Sequence, residues 1–207
     1  MEDLWLTWAK RLQAIASTGL HYTEGSYDRE RYAEVAAIAQ HMIAALADVP
    51  PRRIAELVPQ FAKGYATPLI EVRAAVFEHE RLLLVRETSD GLWTLPGGFA
   101  DVGLSARENA VKEVFEEAAL RVEARALYAV LHKAKHPYDP DTRDFYKLFF
   151  LCERLNDEAP RPGHETSEVG YFEAGRLPPL SRGRTLERDI DAAFAFRADP
   201  AQPCRFD

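Results

Sequence analysis

The sequence predicts an α+β protein in which a small all-helical module precedes a strand-rich domain with α/β/α layering. Three observations predict it. Apolar residues recur at helical spacing through about the first 60 residues. After Pro68 the spacing changes to alternation. The strand-like stretches are interrupted by one mid-chain helix and closed by another. A chain of 207 residues has room for one full domain and a small accessory one. The division is placed at 65/66, giving a helical accessory and dimerisation domain over 1–65 and a second domain over 66–207.

The first helix is expected over 3–18, with Leu4, Trp5, Trp8, Leu12 and Ile15 at helical spacing. Gly19 to Asp28 reads as a loop. A second helix runs from about Arg29 to Leu46, with Tyr32, Val35, Ile38, Ala39, Met42 and Ile43 on one side and Ser26 or Asp28 as its cap. Pro50-Pro51 breaks the chain, and a third helix covers roughly Arg52 to Ala62, with Ile54, Leu57 and Val58. So small a module has a limited core. Trp5, Trp8, Tyr22 and Tyr27 therefore read as a surface that packs on the second domain or on another subunit, with internal packing as the alternative.

From Ile70 the apolar residues Ile70, Val72, Ala74 and Val76 alternate with Glu71, Arg73 and Ala75. A polar turn at 78–81 leads into Leu82–Val85, which pairs back as a hairpin. Further strands are expected over 121–135, 145–154 and Val169–Phe172, with polar loops at 132–144 and 156–168. The closing helix spans about Thr185 to Phe196.

Composition narrows the function. Hydrophobic content of 47% and charged content of 29% are ordinary for a soluble globular chain. A net charge of −7 and the lack of a basic stripe weigh against nucleic-acid binding. Cys152 and Cys204 have neither disulfide-framework nor zinc spacing and read as reduced thiols of a cytoplasmic protein. No apolar run approaches transmembrane length, and MEDLWLTWAK is not a secretory signal.

The stretch Leu95–Leu120, LPGGFADVGLSARENAVKEVFEEAAL, carries the chemistry. Its helix starts near Ser105, the expected N-cap, with Glu108 at capping-box spacing. Glu113, Glu116 and Glu117 stand at i, i+3 and i+4 and share a face. Val111, Val114, Phe115 and Ala118 are expected to face the core. Clustered carboxylates repel, and a divalent cation among them would remove that cost. A solvated acidic face is the alternative. Gly97 and Gly98, which allow a sharp turn and close approach to a ligand, favour a diphosphate-metal site.

These residues resemble the Nudix box, G-x5-E-x7-R-E-U-x-E-E-x-G-U with U aliphatic. Gly98 opens it, Glu113-Val114-Phe115-Glu116-Glu117 is its acidic core, and Leu120 closes it. Leu104, Lys112 and Ala119 replace the expected glutamate, arginine and glycine. Ala119 would have to turn left-handed near the helix end, costing roughly 1 kcal/mol relative to glycine. LLLVRE, GLWTLPGG and ETSEVGYF extend the resemblance over about 68–207. The N-terminal helices with GLHYTEGSYDRERY look like the accessory domain of a branch acting on nucleosides linked through a diphosphate, CDP-choline and ADP-ribose among them.

The resemblance implies a Nudix α/β/α sandwich with a mixed sheet, a homodimer, and hydrolysis of a diphosphate linkage to a nucleoside monophosphate and a phosphorylated product. It implies Mg²⁺ or Mn²⁺ held by Glu113, Glu116, Glu117 and the Gly97 carbonyl, with Lys112 and Gly98 orienting the box. Glu165, Glu116 and Glu117 compete as the general base. Arg86, Trp93, Lys133, His136 and Tyr146 are candidates for holding substrate. Against those stand a surface ion pair for Arg86, a core role for Trp93 and plain surface positions for the loop residues. Phe145 and Tyr146 alternate faces, so at most one can stack on a base. Two other functions stay open: a non-cleaving nucleotide or ADP-ribose sensor, and an RNA-end-processing enzyme.

Overall fold

The computed structural model describes residues 2–57 and 64–207. Two compact units divide the chain: residues 1–69 with 139–144, and residues 70–138 with 145–207.

In the first unit, helix α1 (Leu4–Tyr22) is capped by the Asp3 carboxylate, which accepts from the amides of Trp5 and Leu6. It runs on through Gly19 to Tyr22, past the expected end at residue 18. Gly19 is needed there for packing, because the Tyr32 ring lies 2.5 Å from where a Cβ would sit. Helix α2 (Ser26–Leu46) starts earlier than expected. Gly25 is its N-cap without a side-chain bond, so neither Ser26 nor Asp28 caps it. Helix α3 (Pro51–Leu57) opens on a proline, whose missing N–H is harmless in a first turn. The expected continuation over Val58–Ala62 lies outside the described residues. Leu6, Ala9, Ile43, Ala44 and Ile54 form a small core. Trp5, Trp8, Tyr22 and Tyr27 remain exposed within this unit.

The rest of the chain forms a mixed sheet. Its strands are β1 (Leu69–Glu78), β2 (Arg81–Glu87), β3 (Trp93–Thr94), β4 (Val122–His132), β5 (Phe145–Arg154), β6 (Thr166–Phe172) and β7 (Arg205–Phe206). The order is β3-β2-β1-β5-β4-β7, with β6 paired on β2. The β1–β2 hairpin turns at His79, while β4 pairs antiparallel to β5 and parallel to β7. Helix α4 (Ala106–Ala118) covers one face, packing Ala110, Val114 and Ala118 on Val72, Ala74, Val76, Leu83 and Val85. Helix α5 (Glu187–Ala198) covers the other, packing Ile190, Ala193 and Phe196 on Ala75, Leu82 and Leu84. Burial of both faces by these helices drives the layering.

The boundaries depart from the sequence expectation in several places. The strand expected over 121–135 ends at His132, and Lys133–Lys135 form a 3-10 turn. Strand β6 begins at Thr166 rather than Val169, and α5 runs from Glu187 to Ala198 rather than Thr185 to Phe196. The polar residues that alternate along β1 are buried. Glu71 and Arg73 are 4% and 3% exposed, since a sheet covered on both sides has no solvent side at its centre. No helix among the described residues is long and apolar enough to cross a membrane.

Candidate active site

Backbone pairing with β1 fixes the glycine turn. The amide of Ala74 donates to Pro96 O at 2.8 Å and that of Val72 to Gly98 O at 2.9 Å, so the carbonyls flanking Gly97 are both taken. Gly97 has φ 149°, and a Cβ there would lie 2.0 Å from Val72 O, so only glycine fits. Its amide donates to Glu117 Oε2 at 2.9 Å. At Gly98 a Cβ would meet the Glu113 carboxylate at 3.0 Å. The two glycines thus let two carboxylates of α4 close on the turn.

Local chemistry sets α4 in place. Ser105 is its N-cap and forms the expected capping box with Glu108. Buried Asn109 accepts from the Asp101 amide at 2.8 Å and donates to Leu104 O and Ser105 O at 3.3 and 3.0 Å. It ties down the loop that carries Leu104 in place of the box glutamate. At the other end Ala119 has φ 54° and is left-handed, as expected. The loop at 160–166 closes over this end. The amide of Arg161 donates to Ala118 O, and the Gly163 amide and Thr166 hydroxyl both donate to Glu117 O. Gly163 comes so close that a Cβ would sit 1.6 Å from Glu116 O. The docked loop carries Glu165, whose carbonyl accepts from Thr88.

The three acids of α4 do not share one environment. Glu117 is 5% exposed, Glu113 half-buried and Glu116 exposed. Glu116 turns to Lys112 at 2.6 Å, and Lys112 also reaches Asp101. Phe115, expected in the core, is 55% exposed. It lies one position round from Val114, and the sheet contact is already filled by Ala110, Val114 and Ala118.

Burial pushes the Glu117 carboxyl up to about 8, against the pull of Arg73 and the Gly97 amide. It also raises Glu113, against Lys112 and Arg73. Glu87, at the end of β2, is raised by burial against Arg184 and Arg73. The Glu165 carboxylate adds repulsion at both Glu87 and Glu113, which places it in the same field. Glu87, Glu113, Glu117 and Glu165 thus lie within one another's electrostatic reach, with Arg73 as a buried cation beside them and Arg184 pairing with Glu87 at 3.4 Å. An oxygen-only donor set short of positive charge fits a hard divalent cation. Among the described residues no three such acids are already gathered as a ligand cage. Glu116 would join by leaving Lys112, an exposed pair of the weakly held kind.

The remaining sequence candidates scatter. Arg86 donates to Gly91 O at 2.7 Å and pairs with Glu168 at 2.6 Å, the surface ion pair expected as its alternative role. Trp93 packs edge-on against Phe172 beside the core. Lys133 is not a loop side chain; it is buried, with Nζ 4.7 Å from the Phe145 ring centre. Tyr138, expected in the same exposed loop, is buried and donates to Asp189 at 2.7 Å. His136 is half-buried, 3.4 Å from Asp207, and burial lowers its pKa. Of the β5 pair, Phe145 faces inward and Tyr146 is exposed beside His132.

Sequence reasoning missed Glu87, Glu71, Arg73 and Lys147. Lys147 is fully buried, and its ammonium meets Glu71 at 2.5 Å, while Arg73 Nε meets the same carboxylate oxygen at 2.6 Å. The available signal was a lysine in the middle of FYKLFF, since a charge in a buried strand needs a partner.

Sequence models of two families match the chain: the UDP-X-like, N-terminal oligomerisation domain over residues 3–58, and the NUDIX domain over residues 68–194. A Bacillus subtilis (strain 168) protein with the provisional name ADP-ribose pyrophosphatase YjhB is 41% identical over 207 residues, covering 100% of this chain and 99% of that one. A crystal structure of a UDP-X diphosphatase is 30% identical with TM-score 0.63, covering 98% of each chain. A crystal structure of an ADP-ribose pyrophosphatase from Streptococcus suis 89-1591 is 40% identical with TM-score 0.62, covering 68% of this chain and 100% of that one.

Proposed function

This chain belongs to the Nudix family as a pyrophosphohydrolase, and we propose that it hydrolyses the diphosphate of a nucleoside diphosphate linked to another group. The products are a nucleoside monophosphate and a phosphorylated partner. The observation that carries this reading is Glu117, buried and hydrogen-bonded to the Gly97 amide within a cluster of acids short of positive charge. The full-length likeness to proteins named for ADP-ribose and UDP-X supports the substrate class. CDP-choline belongs to the same chemical class.

Glu113, Glu116, Glu117 and the Gly97 carbonyl would hold Mg²⁺ or Mn²⁺, which when bound neutralises phosphate charge and acidifies water. The chain's own residues do the rest. The Gly97 amide fixes the Glu117 carboxylate, and Gly98 leaves room for Glu113. Glu165, carried on the loop docked over α4, accepts the proton of the attacking water, with Glu116 and Glu117 as the competing bases. Half-buried Arg86 and exposed Tyr146 are the candidates for contacting substrate. The exposed aromatics of α1 and α2, together with the match to an oligomerisation domain, support a homodimer formed through residues 1–65.

The test is a panel of ADP-ribose, a UDP-linked compound and CDP-choline with Mg²⁺ or Mn²⁺, products separated by chromatography. Metal-dependent release of a nucleoside monophosphate from at least one is expected. Tight binding without cleavage of any would favour a sensor and overturn the reading.

A further inference from the structure

Arg73 lies in the middle of β1 and is 3% exposed. Its guanidinium makes contacts in two directions. Nε meets Glu71 at 2.6 Å, while Nη1 donates to Leu95 O at 2.9 Å and to Thr94 Oγ1 at 3.2 Å. Leu95 and Thr94 begin the glycine turn. The next carbonyl held by β1 is Pro96 O and the one after Gly97 is Gly98 O, so one strand grips the turn on both sides of Gly97. A second clasp meets the first from behind: Thr185 Oγ1 accepts from the Leu95 amide at 3.2 Å and lies 2.8 Å from Thr94 Oγ1. The Glu71 oxygen that meets Arg73 also accepts from Lys147. The end of this chain of contacts is the Gly97 amide on Glu117.

We propose that Arg73 is a positioning residue of the active site, holding the Leu95–Gly97 turn in register with Glu117 through Leu95 O and Thr94 Oγ1. The inference rests on the reading of Glu117 and Gly97 as metal-binding groups. The fork is what matters. One planar guanidinium answers Glu71 from one edge and the turn from another, which a single ammonium nitrogen cannot do in the same geometry. Arg73 also attracts Glu117 and Glu87 electrostatically, so its charge faces the acids whose frame it fixes.

The test compares Arg73→Lys, which keeps the charge but loses the fork, with Lys147→Met, which leaves the Arg73–Glu71 pair and its contacts to the turn. Thr185→Val, which removes the second clasp, is the additional variant if Arg73→Lys does not fold. Three readouts are taken: Mn²⁺ affinity without substrate, from the free-ion EPR signal; kcat and KM; and the melting temperature. Arg73→Lys is expected to weaken Mn²⁺ binding roughly tenfold and to lower kcat by about 10–100-fold, with substrate KM changed less than about threefold, because a small displacement of a reacting frame is costly. Thr185→Val should move in the same direction by a smaller factor, and Lys147→Met should keep both values within about threefold of wild type. Wild-type Mn²⁺ affinity and kcat in folded Arg73→Lys would overturn the inference. So would an equal loss in Lys147→Met, or no change in Thr185→Val where Arg73→Lys is unfolded. If the wild-type protein itself fails to bind Mn²⁺, the metal-site reading falls, a result separate from any difference among the variants.

Discussion

Arg73 divides two groups of buried acids that solve the same electrostatic problem in opposite ways. On one side a single carboxylate, Glu71, has two cations at hydrogen-bond distance, Arg73 and Lys147. Burial works against its ionisation, but Arg73 and then Lys147 outweigh it and hold its pKa below the usual carboxylate range. On the other side Glu87, Glu113 and Glu117 are all raised above their ordinary value, burial being the largest cause for each. The first group is neutralised from within the chain and serves the frame. In the second, among the described residues, Glu87 pairs with Arg184 at 3.4 Å while no ion pair holds Glu113 or Glu117, the state expected of residues meant to take charge from outside. Position in the fold does not separate them, since both sit against β1. The supply of partners does.

The sharpest way to break this contrast is to remove one charge from the second group. Glu117→Gln keeps the shape of the side chain and can keep a bond to the turn, so the fold should persist. Turnover of a diphosphate substrate should fall by about 10³-fold, the loss expected when a metal-binding or proton-handling group disappears. Stability should move the other way in metal-free protein. A carboxyl whose folded pKa is raised, here to about 8 from 4.5, contributes stability in full below 4.5 and loses it as pH rises through about 8. The variant should therefore melt higher than wild type at pH 8 without metal and equally at pH 4.5. A variant that melts lower at pH 8, or turns over normally, would place Glu117 with the structural acids.

The matching change in the first group should give the opposite pattern. Glu71→Gln leaves Arg73 and Lys147 side by side without their shared anion. Breaking a buried pair by removing one partner costs about 3–5 kcal/mol. Chemical denaturation near neutral pH measures it. Because the folded pKa of Glu71 is lowered, its stabilisation is present above 4.5 and lost as pH falls through the folded value, so the gap between variant and wild type should narrow in acid. A gap below about 1 kcal/mol at neutral pH would mean that the Glu71 cluster is not a neutralised frame at all.

How legible these two groups were differs for a physical reason. The α4 acids were readable because helical spacing puts i, i+3 and i+4 on one side, and because the glycines before them have few other uses. The capping box at Ser105 and the left turn at Ala119 are local chemistry and stand where the sequence placed them. The inequality among the three acids was not readable, since it depends on how far α4 is rotated against the sheet: Phe115 goes out and Glu117 goes in. The burial of Glu71 and Arg73 was not readable, because alternation in one strand does not show which face of the sheet the closing helix, α5, covers. Lys133 and Tyr138 were placed in an exposed loop for their polarity, yet long amphipathic side chains can bury their stems and rings. Glu87 joins the site through the pairing of β2 with β6 and β3, a long-range fact that local pattern does not carry.

Ala119 offers the smallest and cleanest test, because it alters backbone strain at the acid-bearing helix without altering any charge. It is the C-cap of α4, left-handed at φ 54°, with its amide bonded to Phe115 O. Glycine would relieve roughly 1 kcal/mol of strain there and give part of it back through the freer unfolded chain. Ala119→Gly should therefore raise stability by at most about 1 kcal/mol, read by denaturation. Because the loop at 160–166 bonds to the carbonyls of Glu117 and Ala118 rather than to Ala119, the position of Glu165 should hold and kcat should stay near wild type. The pH response of the two acid groups should be unchanged as well. A marked fall in kcat would mean that the left-handed turn at Ala119 helps to place the acids, and that strain as well as charge distinguishes the second group from the first.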